Sequence, residues 1–201
     1  GTRVDGHTRW AHVASDELFT YLFFSCKRGH AGMTEMDVLP HFHGVAIHDC
    51  WASYWKFNVL HAICCAHLLR ELNGVIENHP EQTWAPRFKK LLLDMKKTKE
   101  DAIAMNLASA DEHTIQYYNE EYDAIIQVAF AENPMVTTEA KKKGRPKKGK
   151  VLALIERLQK YKGEVCHFLK DFQIDFDNNQ AERDLRMIKT KTKVSGCFRT
   201  E

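Results

Sequence analysis

The sequence predicts a mixed α/β fold: strands open the chain, a long helical stretch follows, and the core resumes near the end. Three observations carry this reading. Residues 1–64 hold several short apolar, β-branched or aromatic runs bounded by turn residues. Residues 65–162 repeat apolar positions three and four apart, the spacing of helices with one buried face. Residues 163–201 shorten the pattern again and contain Asp177-Asn178-Asn179-Gln180-Ala181-Glu182-Arg183-Asp184-Leu185-Arg186, where carboxylates, amides and guanidiniums crowd a helix start. The chain therefore divides into the first part of a core, a helical insertion, and the last part of the same core.

With 201 residues and 44% hydrophobic content, the chain can bury one sizeable core with a helical appendage. The formal charge of +2 gives no global positive field, so affinity for nucleic acid must come from local clusters of Lys and Arg. No run of 18 apolar residues and no charged-then-apolar leader is present, so a cytoplasmic protein is expected. The six cysteines, Cys26, Cys50, Cys64, Cys65, Cys166 and Cys197, lack the regular spacing of a disulfide scaffold and are read as reduced thiols.

Taken in order, Thr2-Arg3-Val4 and His7 to Ala14 form a hairpin around Asp5-Gly6, a pair that favours a type I′ turn. Asp5 is then a turn residue. Leu18 to Phe24 is a third, largely buried strand that completes an antiparallel meander. Met33 to Leu39 is a short helix closed by Pro40, and Gly44 to His48 is an apolar run with Asp49 at its carboxyl end. In open α/β sheets sites lie beyond that end of a strand. Asp49 also suits the cap of a helix starting near Ala52. Val59 to Cys64 is a fifth strand, and Cys65 to Ile76 a helix with Leu68, Leu72, Val75 and Ile76 on one face. His61, Cys64, Cys65 and His67 invite a zinc reading, but their spacing fits no standard ligand pairing, so they read as packed thiols and a hydrogen-bonded histidine.

Trp84 to Phe130 is helical throughout and broken by Asn133-Pro134. The basic linker 141–150 has no apolar residue, and its Lys143-Gly144-Arg145-Pro146-Lys147-Lys148 core resembles an AT-hook as well as a plain charged linker. Arg145, Lys147 and Lys148 would meet phosphates on either reading. Val151 to Tyr161 is one more amphipathic helix, after which Phe172, Ile174 and Phe176 alternate into Asp177.

The last helix should start near Asn178 or Asn179, which cap free N–H groups, and it places Glu182 in its first turn. The helix dipole stabilises a carboxylate there by roughly 0.3–1 kcal/mol, keeping it ionised and fit to hold a hard divalent cation. Leu185 and Ile188 would face inward, leaving Arg183, Arg186 and Lys189 toward an anionic partner. A capped surface helix with ion pairs three or four residues apart has the same composition.

Three strands, a helix, a strand ending in Asp49, a further strand, the helical stretch and a helix opening on Glu182 make the order of a ribonuclease H-like mixed sheet core. The all-α insertion lies between the fifth strand and the last catalytic helix. Several motifs then carry a family resemblance: Arg3-Val4-Asp5-Gly6, Leu39-Pro40, His48-Asp49 with Tyr54, Cys64-x-x-His67-x-x-Arg70-Glu71-Leu72, Gly144-Arg145-Pro146, and Asp177-Asn178-Asn179-x-x-Glu182-Arg183-x-x-Arg186. Together they resemble the insertion sequence 66 family of DDE transposases over nearly the whole chain.

The resemblance implies a DNA transposase acting in recombination, with two aspartates and a glutamate holding Mg²⁺ or Mn²⁺. Asp49 is the second acid and Glu182 the third. Asn178, Asn179, His67 and Arg70 would support the site, and DNA ends and target are the partners of what is expected to be a homo-oligomer. The first aspartate is expected just upstream of Thr2-Arg3-Val4, since Asp5 sits in the hairpin turn and Asp16 in the next loop. Residues 1–201 are thus read as part of a longer parent and are expected to bind metal weakly and neither cut nor join DNA alone. A ribonuclease H-like nuclease or resolvase, and a decayed remnant that only binds DNA, are the competing readings.

Overall fold

A computed structural model describes residues 1–134, 149–196 and 198. The chain forms two compact units, Gly1–His61 with the described part of Asp177–Glu201, and Ala62–Phe176. The mixed α/β class expected from the sequence is what forms.

In the first unit, β1 (Thr2–Val4), β2 (His7–Ser15) and β3 (Thr20–Ser25) make the antiparallel meander, with Val4 opposite His7 across a two-residue turn. Asp5 at φ 45° and Gly6 at φ 73° both take positive φ, as a type I′ turn requires. The free edge of β1 carries Phe198, which donates its N–H to Arg3 O at 2.8 Å and accepts from Asp5 N at 2.9 Å. The β2–β3 turn is closed by Asp16, whose Oδ1 accepts the N–H groups of Leu18 and Phe19 at 2.8 and 2.7 Å. Those bonds hold its carboxyl below the usual range, the one from Phe19 first.

Strand β3 is not largely buried as expected. Leu18 is 83% exposed and Phe19 74%; both lie in the turn ahead of β3, which is itself an edge strand. Helix α1 (His30–Glu35) and a 3₁₀ turn at Leu39–His41 replace the single helix read over Met33 to Leu39. Strand β4 (Val45–His48) pairs with β5 (Leu60–Ile63) in a second, two-stranded sheet. The five strands thus divide into two ladders rather than forming one mixed sheet. Only a 3₁₀ turn, Tyr54–Lys56, stands where a helix near Ala52 was an alternative. Helix α8 (Asn179–Ser195) closes the unit against β1 and β2.

The second unit is helical. Helix α2 (Cys65–Asn78) buries Leu68, Leu72 and Val75, as the three-and-four spacing predicts. The stretch expected as one helix from Trp84 to Phe130 is two: α3 (Trp84–Ala104) and α4 (Glu112–Glu132). Asn106 at φ 61° ends the first, and Asp111 caps the second by accepting Thr114 N–H at 2.9 Å. Phe88 and Tyr122 meet edge to face at 4.7 Å with both side chains fully buried, and the Tyr122 hydroxyl donates to Leu158 O at 2.8 Å. Leu158 lies on α5 (Lys150–Lys160), and α6 (Lys162–Val165) and α7 (His167–Lys170) follow. Phe172, Ile174 and Phe176 are buried as apolar anchors in turns rather than a strand, and Lys99, itself buried, donates to Ile174 O.

The cysteine reading yields a direct test. Cys64 and Cys65 are fully buried, and burial pushes the Cys166 thiol up to about 12. Cys26 is exposed and Cys50 half-buried. Among these described cysteines, a thiol reagent should modify Cys26 and then Cys50 in the native protein, and Cys64, Cys65 and Cys166 only after denaturation. Rapid native labelling of Cys166, read by mass spectrometry, would contradict this packing.

Candidate functional site

The site is built in the first unit where β4 ends. His48 is 2% exposed, with its ring stacked on Tyr54 at 4.4 Å and set edge-on to Trp55 at 5.1 Å. Its Nδ1 lies 3.0 Å from Cys50 N and its Nε2 3.0 Å from His61 Nδ1. Burial, then the neighbouring His61, pushes the His48 ring down to about 3. Burial, then the Asp49 carboxylate, pushes the Tyr54 hydroxyl up to about 12. Asp49 is thus close enough to Tyr54 to be felt electrostatically, yet it is exposed. Its Oδ1 accepts Trp51 N–H at 3.1 Å, the local turn that aspartate favours.

The His48 shift sets a pH dependence. Above pH 6.5 both folded and unfolded rings are neutral and contribute nothing; below it the unfolded chain gains a proton that the folded ring refuses until about pH 3. Stability is therefore lost as pH falls through that window, by about 2 kcal/mol between pH 6.5 and pH 5. Denaturant titrations in metal-free buffer should show this loss, and His48→Gln should remove most of it; an unchanged slope in that variant would contradict the assignment.

Helix α8 starts where the sequence places it, but the caps are distributed differently. Asp177 Oδ1 accepts Asn179 N–H at 3.0 Å, whereas Asn178, at the N-cap position, makes no capping bond. Its amide instead donates to Ile47 O at 3.0 Å, tying the start of α8 to β4. Glu182 lies about 6 Å of helix rise beyond Asn178, and Asp49 at most about 7 Å of chain beyond Ile47. One side-chain bond therefore links the two segments that carry the acids. Glu182 is half-buried in the first turn.

Along α8, Ala181 is buried, Leu185 and Ile188 are half-buried, and Arg183, Arg186 and Lys189 are exposed, as the helical spacing predicts. Thr192 Oγ1 meets Thr2 Oγ1 at 2.7 Å, and Thr20 donates to Asp184 Oδ2 at 2.6 Å, which fixes the helix on the meander. The cationic face is thereby set away from the sheet.

Other sequence candidates fall elsewhere. Asp5 and Asp16 stand in turns, as expected, and neither belongs to a ligand cluster. His67, half-buried, and Arg70, exposed, lie on α2 in the second unit. Arg145, Lys147 and Lys148 lie outside the described residues. Among the described residues no group of three His, Cys, Asp or Glu side chains is placed to hold a metal. The two acids by themselves offer hard oxygen donors of the right kind for Mg²⁺ or Mn²⁺, and the rest of such a shell would be water and phosphate oxygen. Sequence reasoning quoted His48 and Tyr54 only within a family motif, weighed His61 only in a zinc reading and did not single out Trp55; an apolar run ending in a histidine beside an acid was the available signal.

A strand end bearing an exposed acid and a helix with a cationic outer face are features of proteins that act on nucleic acid. The family model described as Transposase IS66 family matches residues 1–201, and the chain belongs to that family. Comparison with curated proteins gives no significant match, and comparison with solved structures gives none either. Among the described residues no helix is long and apolar enough to cross a membrane.

Proposed function

We propose that this chain forms part of the catalytic domain of a DDE transposase, in which Asp49 and Glu182 hold Mg²⁺ or Mn²⁺ for DNA cleavage and strand transfer in the cytoplasm. The observation that carries the proposal is the bond from the Asn178 amide to Ile47 O, which draws the two acid-bearing segments together across the sequence. The element order, a meander followed by β4 and closed by α8, supports a ribonuclease H-like core.

Bound metal would activate the attacking water or DNA 3′-hydroxyl and neutralise charge on the leaving oxygen. The residues supply the rest. Glu182 stands in the first turn of α8, where the helix dipole favours a negative charge. The Asp49 turn holds its carboxylate at the exposed strand end. Arg183, Arg186 and Lys189 bind strand phosphates, Arg183 and Arg186 with two donors each when geometry allows. Arg145, Lys147 and Lys148 add phosphate attraction, and His67 and Arg70 support the assembly. Neither Asp5 nor Asp16 serves as the remaining acid.

Two measurements test this reading. Replacing Arg183, Arg186 and Lys189 by Ala should lower DNA affinity and reduce the slope of log K against log salt by roughly 2–3; an unchanged slope would remove this face from the interface. A transposase carrying this chain should join pre-cleaved transposon ends to target DNA in Mg²⁺. Hydrolysis without joined product would instead identify a nuclease.

A further inference from the structure

The buried ring before Asp49 makes a bond that a merely space-filling histidine would not need. Cys50 has φ 67°, a left-handed conformation in which the Cβ of an L residue crowds the backbone, and it follows the proposed metal ligand directly. Its N–H donates to His48 Nδ1 at 3.0 Å. A backbone N–H can only donate, so Nδ1 carries a lone pair and the single proton of the neutral ring sits on Nε2. That proton is directed at His61 Nδ1, 3.0 Å away, which places the His61 proton on its own Nε2. Tyr54, stacked with an interplanar angle of 8°, and Trp55, edge-on, leave the ring no room to turn.

We propose that His48 is a positioning residue for Asp49: its Nδ1 holds the Asp49-Cys50 backbone in the left-handed turn that keeps the carboxylate at the exposed end of β4, and His61 fixes the tautomer that allows it. The inference rests on Asp49 being a metal ligand, and it adds the buried pair that orients that ligand. Support of this kind typically sets metal affinity by a factor of about 10–100.

Substitution separates orientation from packing. Asn offers an acceptor near the place of Nδ1, Gln offers a donor near Nε2 without that acceptor, and Phe fills the space with neither. With the 201-residue chain and Mn²⁺ alone as probe, titrated by electron paramagnetic resonance, His48→Asn should bind within about threefold of the wild type, while His48→Gln and His48→Phe weaken binding about tenfold or more. Near-ultraviolet circular dichroism confirms that each variant is folded. Long-range proton–nitrogen spectra of the wild type should show His48 protonated on Nε2 only.

Equal affinities for the Asn and Gln variants would overturn the positioning role, and that contrast decides the matter even if the Phe variant does not fold. Asp49→Asn is the control. If it loses Mn²⁺ while all His48 variants keep wild-type affinity, His48 has no positioning role and the acid site stands. If Asp49→Asn itself keeps wild-type affinity, the acid site falls and the positioning role with it.

Discussion

Asp49→Asn and Glu182→Gln should each lower strand transfer by about a thousandfold or more, equivalent to about 4 kcal/mol of transition-state stabilisation. Both substitutions keep the volume and one acceptor oxygen, while the negative charge is lost and the other oxygen becomes an NH2 donor. On the proposed reading of a divalent-cation site, an amide cannot replace a carboxylate as a charge-balancing ligand. Folding should be little affected, because Asp49 is exposed and its oxygen retains the bond to Trp51 N–H after the change. The measurement is product yield with pre-cleaved ends in Mg²⁺, in an active transposase carrying this chain, alongside a thermal melt. Near-normal yield from either variant would remove that residue from the site.

The second large effect concerns the helical unit. Phe88→Ala should cost about 3–5 kcal/mol, because it leaves a cavity beside a fully buried Tyr122 and next to Trp84. Tyr122 is itself held through its hydroxyl to Leu158 O, so α4 and α5 lose a shared packing surface when the ring between α3 and α4 is removed. Leu93→Ala on the same helix is the comparison: that side chain is 42% exposed and should cost well under half as much. Denaturant titration followed by tryptophan fluorescence reads both. A loss below about 1 kcal/mol for Phe88→Ala would show that this pair does not anchor the unit.

What the sequence made legible follows from short-range physics. The Asp5-Gly6 hairpin, the helical faces of α2 and α5, and the start of α8 each depend on neighbours within a few residues, where turn chemistry and the helical repeat act. The division between α3 and α4 was not placed because no Gly or Pro marks it; Asn106 at positive φ interrupts the backbone there. The exposure of Leu18 and Phe19 was illegible for another reason: hydrophobicity marks a preference for cover but not which edge of a sheet receives it.

At the site the same distinction holds. Asp49 and Glu182 were singled out by their places at a strand end and a helix start, and their proposed roles by the family resemblance. The destination of the Asn178 amide was not, because a capping residue has a local use for its side chain and here that use is overridden by a partner 131 positions away. Nor could spacing reveal that His48 and His61 share a proton position across neighbouring strands. The division of the strands into two ladders, with Phe198 bridged to Val4 at the edge of β1, is likewise a pairing between segments distant in sequence.

Asp49 and Glu182 are proposed to ligate metal together. Anomalous diffraction from crystals of the chain soaked in Mn²⁺ tests this proposal most directly. A peak within about 2.5 Å of an oxygen from each carboxylate is the expected result. Peaks that touch neither acid, or carboxylates directed to opposite sides of β4, would contradict it.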